Sequence, residues 1–160
     1  MIMGAWLLLL GLLTLMFNNW IEREANPNRV LSISENASGG KSISLRRNRA
    51  GHYLVPGRLN GVQVTFIVDT GATRVAVPLE VAEEAGLVKG VRGQSVTASG
   101  VADTWLTQVN RLSVGPFEMA SVPAVIIPDM PGDEVLLGMS FLKYLRLEQE
   151  GGSLSISLPD

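Results

Sequence analysis

Hydrophobic and polar positions follow three different patterns along this chain, and each predicts a different kind of element. Residues 1–21 carry no charged side chain, and 6–15 are almost continuously leucine. A helix of about 20 such residues matches a bilayer core of roughly 30 Å. Trp6 and Trp20 are spaced like interface anchors, although Asn18 and Asn19 shorten the apolar part. The segment has no polar face to turn toward water, as a soluble helix would need. No basic residue precedes the run and no small-x-small site follows it, which favours an uncleaved transmembrane anchor over a signal peptide. Arg23, Arg29, Lys41, Arg46, Arg47 and Arg49 all follow the helix, but they are dispersed and interleaved with Glu22 and Glu24. These charges leave the side of the membrane open.

Residues 22–50 are polar, with Asn26-Pro27-Asn28, Gly39-Gly40 and Arg46-Arg47-Asn48-Arg49. Such a stretch buries too little apolar surface to order itself and predicts a flexible linker. Leu31, Ile33, Ile43 and Leu45 alternate with serine and other residues, so part of it could add a strand to the downstream domain. The arginine cluster reads as a solvated end of the linker, with anionic headgroups as the alternative contact.

From Gly51 to the end the pattern changes to short β segments separated by turn signals. Tyr53-Leu54-Val55 leads through Pro56-Gly57 to Asn60-Gly61, a hairpin signal, and Val62, Val64 and Phe66 then alternate with polar residues. Strands are predicted at 75–77, 94–98, 101–112, 117–120, 122–127, 145–149 and 153–158. A short helix is predicted at 78–85, with Pro78 at its start and Gly86 past its end. Residues 51–160 therefore predict an all-β domain, a small closed barrel with one or two short helices.

Composition narrows the chemistry. The chain has 160 residues, enough for one domain and an appendage, and its net charge of −2 gives no sign of a nucleic-acid partner. It contains no cysteine, which removes disulfides, thiolate metal sites and cysteine nucleophiles together. The single histidine, His52, argues against histidine-rich metal sites and reads as an exposed strand-edge residue.

The informative run is Phe66-Ile67-Val68-Asp69-Thr70-Gly71-Ala72-Thr73. A hydrophobic strand ends abruptly at an acid, which places a carboxylate where burial and neighbours can act on it. Gly71 permits tight backbone geometry and exposes N–H groups to that carboxylate. Taken alone, Asp-Thr-Gly could be a strand-ending turn. Downstream, Val135-Leu136-Leu137-Gly138-Met139 is an aliphatic run ending in glycine, followed by a helix-like Ser140-Phe141-Leu142-Lys143-Tyr144-Leu145.

In this order, and preceded by the hairpin that begins at Tyr53, the two elements resemble the retropepsin-like aspartic peptidases. More narrowly, they resemble the bacterial members that join one such domain to a membrane helix. The resemblance implies that Leu136, Leu137 and Gly138 cross behind the Asp69 loop and fix it. It also implies that Thr70 bonds across a dimer axis, with Gly71 and Ala72 completing the loop. Two carboxylates about 3 Å apart share a proton; the ionised one activates water while the other donates to the scissile carbonyl. Only one Asp-Thr-Gly is present, since Asp103 lacks the glycine and Asp129 and Asp133 follow no strand. The second aspartate must then come from another copy, as a C2 homodimer acting on polypeptide with no cofactor or metal. Thr97, Ala98, Ser99 and Gly100 are the candidate flap over the substrate, though a plain surface hairpin would look the same. Ala72 stands where pepsin-like relatives often carry a hydroxyl that would bond the carboxylate, so the resemblance implies a less acidic activity optimum. A catalytically silent, dimeric peptide-binding or assembly module of the same fold is the rival reading.

Overall fold

The computed structural model describes residues 6, 9–17, 25–35, 40–97 and 100–159. Its elements run β1 (Ser32–Glu35), β2 (Lys41–Arg46), β3 (Leu54–Leu59), β4 (Val62–Val68), β5 (Val75–Pro78), α1 (Leu79–Glu84) and β6 (Arg92–Thr97). They continue with β7 (Gly100–Val114), β8 (Phe117–Ile127), β9 (Val135–Leu137), α2 (Met139–Leu142), β10 (Arg146–Glu150) and β11 (Ser153–Ser157). The domain is thus all-β with two short helices, as its alternation predicts. The strands form two sheets. One has the order β1-β2-β11-β10 and the other β3-β4-β9-β5-β8-β7-β6, with β3 also pairing to β7.

The β3–β4 hairpin turns where Asn60-Gly61 predicts. Both residues have positive φ, 50° and 93°, and Leu59 pairs with Val62, which is the backbone a two-residue turn between right-twisted strands requires. Gly57 lies where β3 is flanked by β4 and β7 at once. A Cβ there would sit 2.3 Å from the Ser113 carbonyl oxygen and 2.7 Å from the Phe66 ring, so only glycine allows the three strands to approach. Inward residues of both sheets, among them Ile43, Leu45, Leu59, Phe66, Leu112, Ile126, Leu137, Phe141 and Ile156, are fully buried and form one core.

Two expectations change. The strands predicted at 117–120 and 122–127 are one strand, β8, which runs through Ser121 in a left-handed conformation (φ 56°) and through Pro123 paired with Gln108. The stretch expected as a flexible linker is in part ordered. β2 pairs with β11 and buries Ile43 and Leu45, and Asn28, 4% exposed, ties residues 26–28 to the domain. Its amide Nδ2 donates to the carbonyls of Leu54 (2.8 Å) and Arg46 (2.9 Å), and its Oδ1 accepts the Arg46 N–H at 2.7 Å. Nearer the start, residues 9–17 are helical, and Leu9, Leu10, Leu12, Leu13, Leu15, Met16 and Phe17 are all exposed. Among the described residues no helix is long and apolar enough to cross a membrane; much of the span expected over 1–21, Trp20 included, lies outside them.

Candidate active site

The chain reaches Asp69 directly from β4, and a strand from far downstream holds it there. β9 lies between β4 and β5. It runs parallel to β4, pairing Phe66 with Val135, Ile67 with Leu136 and Val68 with Leu137, and meets β5 at Ala76 opposite Leu136. Asp69 extends this ladder by donating its N–H to the Leu137 carbonyl at 3.1 Å. The chain then turns tightly. The Gly71 N–H donates to Asp69 Oδ1 at 2.9 Å, and the Ala72 N–H to the Asp69 carbonyl at 3.3 Å. A Cβ on Gly71 would stand 3.2 Å from the same carboxylate oxygen, so the small residue lets the backbone approach the acid.

Residues 138–140 clamp the other side of the loop. Gly138 has an ordinary φ of −89°, and space is what excludes a side chain there. Its Cβ would lie 2.3 Å from the Arg74 carbonyl oxygen and 2.7 Å from that of Ala72. Past it, the first N–H groups of α2 have no partner inside the helix. Met139 N–H donates to the Ala72 carbonyl (2.8 Å) and Ser140 N–H to that of Thr73 (3.0 Å). The buried Ser140 hydroxyl accepts the Val75 N–H at 3.1 Å. The aliphatic-aliphatic-glycine run and the Asp-Thr-Gly loop are thus in direct contact, and backbone bonds hold the loop.

Asp69 opens on a cavity of about 580 Å³. One wall is the loop itself, with Gly71, Ala72, Thr73 and Arg74. The apolar floor is Ala76, Val125, Ile127 and Leu136, and Gln94, Ser95 and Val96 of β6 form the opposite side. Asp69 is half-buried and supplies the one carboxylate in this lining, while Thr70 and Gly71 are exposed. Among the described residues no group of three or more His, Asp or Glu side chains is placed to hold a metal ion. A lone carboxylate beside an apolar floor can accept a proton from water. Two-carboxylate acid–base chemistry needs a second acid, which the described lining of this cavity does not contain.

The residues singled out in the sequence divide accordingly. Asp69, Thr70, Gly71, Ala72, Leu136, Leu137 and Gly138 come together. Thr97 and Gly100 pair at the far end of the β6–β7 hairpin, whose cavity-lining part is Gln94, Ser95 and Val96; Ala98 and Ser99 lie outside the described residues. His52 is exposed, and Trp105 is half-buried against the core with the Lys89 ammonium 4.9 Å above its ring. Asp103 is spent on Arg92 at 2.9 Å. Two residues at the site were not foreseen. Ser140 could have been noticed as a hydroxyl within the apolar Leu136–Leu142 neighbourhood, and Arg74 as the one charge between Asp69 and Glu80.

The chain is similar to several known proteins. A retropepsin-like aspartic protease from Rickettsia conorii superposes with a TM-score of 0.61 at 26% identity, covering 71% of this chain and 97% of that one. The EIAV protease in complex with the inhibitor HBY-793 matches with a TM-score of 0.47 at 17% identity, over 60% of this chain and 89% of its own. An uncharacterized Sinorhizobium protein from the cobV 5′ region is 29% identical over 136 residues. These make up 83% of this chain and 58% of that relative, so the chain spans less than two thirds of the relative's length. The family model described as "gag-polyprotein putative aspartyl protease" matches residues 55–144, more than half of the chain, and includes both the Asp69 loop and β9. The chain belongs to the retropepsin-like aspartic protease family.

Proposed function

We propose that this protein is an aspartic endopeptidase that works as a homodimer, with Asp69 of each copy forming the catalytic pair. The observation that carries this reading is the setting of Asp69, which is held by the Gly71 N–H at the mouth of an apolar cavity with no second carboxylate in its lining. A second copy placed across the exposed Thr70 and Gly71 would bring its own Asp69 to the first. The two carboxylates then share one proton. The ionised one removes a proton from water as the water attacks the scissile carbonyl. The protonated one donates to the carbonyl oxygen, giving a tetrahedral intermediate whose collapse frees the amine. The flap role proposed for the hairpin around Thr97, Ala98, Ser99 and Gly100 is supported by Gln94, Ser95 and Val96, which already roof the cavity from the same hairpin. Leu136, Leu137 and Gly138 serve as the fixed backing of the loop.

Attachment to a membrane through residues 1–21 is part of the same reading. It is supported by the uncharged sequence and by the exposure of Leu9, Leu10, Leu12, Leu13, Leu15, Met16 and Phe17, apolar side chains that the domain leaves uncovered. Tethering two copies to one surface would raise their effective concentration for dimerisation.

The test is peptide cleavage by the full chain, wild type against Asp69→Asn, over a range of protein concentrations. The full chain is needed because β2 contributes Ile43 and Leu45 to the core. Activity that rises more than linearly with concentration and vanishes in Asp69→Asn is expected. A folded dimer that cuts nothing, or a mutant as active as wild type, would overturn the reading.

A further inference from the structure

We infer that Arg74 makes the cleft selective for peptides carrying an acidic side chain close to the scissile bond. This inference rests on the peptidase reading and deepens it. Arg74 lines the same cavity as Asp69 and is the one cation there. Its side chain is exposed, and among the described residues its guanidinium has no hydrogen-bond or ion-pair partner. Arg92, on the same strand as Gln94, Ser95 and Val96, is already engaged by Asp103 at 2.9 Å.

The backbone that carries Arg74 is fixed. Its carbonyl packs against Gly138 at a separation that excludes a Cβ, and the neighbouring Thr73 carbonyl and Val75 N–H are both bonded to Ser140. The positive charge is therefore presented from a rigid edge of the site. The apolar floor of Ala76, Val125, Ile127 and Leu136 would take an aliphatic side chain at the cut. A carboxylate a residue or so away along the same extended peptide would meet the guanidinium, whose planar fork suits a carboxylate bidentately. A lysine or arginine at that place would be repelled. The contact is partly solvated, so a discrimination of about three- to tenfold between acidic and basic side chains is expected rather than an absolute requirement.

The experiment is digestion of a proteome-derived peptide library by the full chain, with cut positions read by mass spectrometry. Wild type should enrich Asp and Glu and deplete Lys and Arg at one position within a few residues of the cut. Arg74→Lys should keep that preference, Arg74→Glu should reverse it, and raised salt should weaken it. No acidic enrichment in wild type, or the same enrichment in Arg74→Glu, would overturn the inference. Conversion of Arg74→Glu to a monomer, with cleavage lost, would place the partner of Arg74 in the second copy and equally overturn it. If nothing is cut, binding separates the two readings. Fluorescein-labelled Leu/Glu and Leu/Lys decapeptides are titrated onto Asp69→Asn by anisotropy. A preference for the Glu peptide that Arg74→Glu abolishes upholds the role of Arg74 while the peptidase reading fails; equal binding, or none, sinks the inference itself.

Discussion

Val75 donates its backbone N–H to the hydroxyl of Ser140 at 3.1 Å, a bond between residues 65 apart in sequence. It locks the start of β5, and with it the end of the Asp69 loop, onto α2. Ser140 is 8% exposed, so its removal would leave the Val75 N–H buried without its acceptor. Ser140→Ala is expected to lower stability by about 1–3 kcal/mol. It should move the urea midpoint without changing the slope of the transition. An unchanged midpoint would mean that water replaces the hydroxyl at no cost.

Gly138→Ala should be worse than its size suggests. The added methyl would stand 2.3 Å from the Arg74 carbonyl oxygen and 2.7 Å from that of Ala72, backbone atoms that cannot step aside without carrying the loop with them. A loss of about 1–3 kcal/mol or more is expected from such overpacking, together with loss of peptide cleavage. Gly151→Ala is the useful contrast. Nothing lies within 4 Å of its Cβ, and its cost would come only from a φ of +54°. That variant should therefore lose some melting temperature and keep its activity.

Asn28 satisfies two carbonyls and one N–H of β2 and β3 with a single side chain. Asn28→Ala should cost about 1–3 kcal/mol, because these groups lose their partners in a buried place. Hydrogen exchange gives the specific readout. The Arg46 amide, bonded to Asn28 Oδ1 at 2.7 Å, should exchange faster in the variant, while the Asp69 amide, bonded to Leu137, should not. Equal acceleration at both would indicate global loosening and remove the local role of Asn28.

Ala72 lines the cavity beside Asp69 and offers no hydroxyl to it. In Ala72→Ser, a hydroxyl donated to the carboxylate would stabilise its charged form. On the peptidase reading, the acidic limb of the pH–rate profile should therefore move downward. Superposable profiles would exclude the side chain at 72 from the acid–base chemistry.

Local signals were legible where one residue type decides the backbone. Asn60-Gly61 announced its hairpin because few other pairs accept two positive φ angles in succession, and Asp-Thr-Gly announced a strand-ending loop. Pairings made over long separations were not legible. Nothing local to Val135-Leu136-Leu137 says that it inserts between β4 and β5; only the resemblance to a known family supplied that expectation. β1 and β2 lie in a stretch whose serines and arginines read as linker, but the alternation of Ile33, Ile43 and Leu45 within it marked a possible strand, and it was enough to bury Ile43 and Leu45 once β11 offered a partner. Ser121 and Pro123 read as a strand break, and β7 overrode them by pairing with β8 on both sides of Ser121. Arg74 escaped notice because a single charge beside a motif looks like surface until the cavity it faces is known.

The interleaving of β9 between β4 and β5 also has a kinetic meaning. The groups that hold the Asp69 loop, the Leu137 carbonyl, the Met139 N–H and the Ser140 N–H and hydroxyl, all come from well downstream of it. Closing so long a loop is slow, since its entropy is lost before any contact compensates it. A nascent chain can present the Asp-Thr-Gly tripeptide long before it can present a working site. On the proposed function, chemistry at Asp69 would become available only once residues 135–142 have been synthesised and docked, a built-in delay that would keep a half-made chain from acting before its site exists.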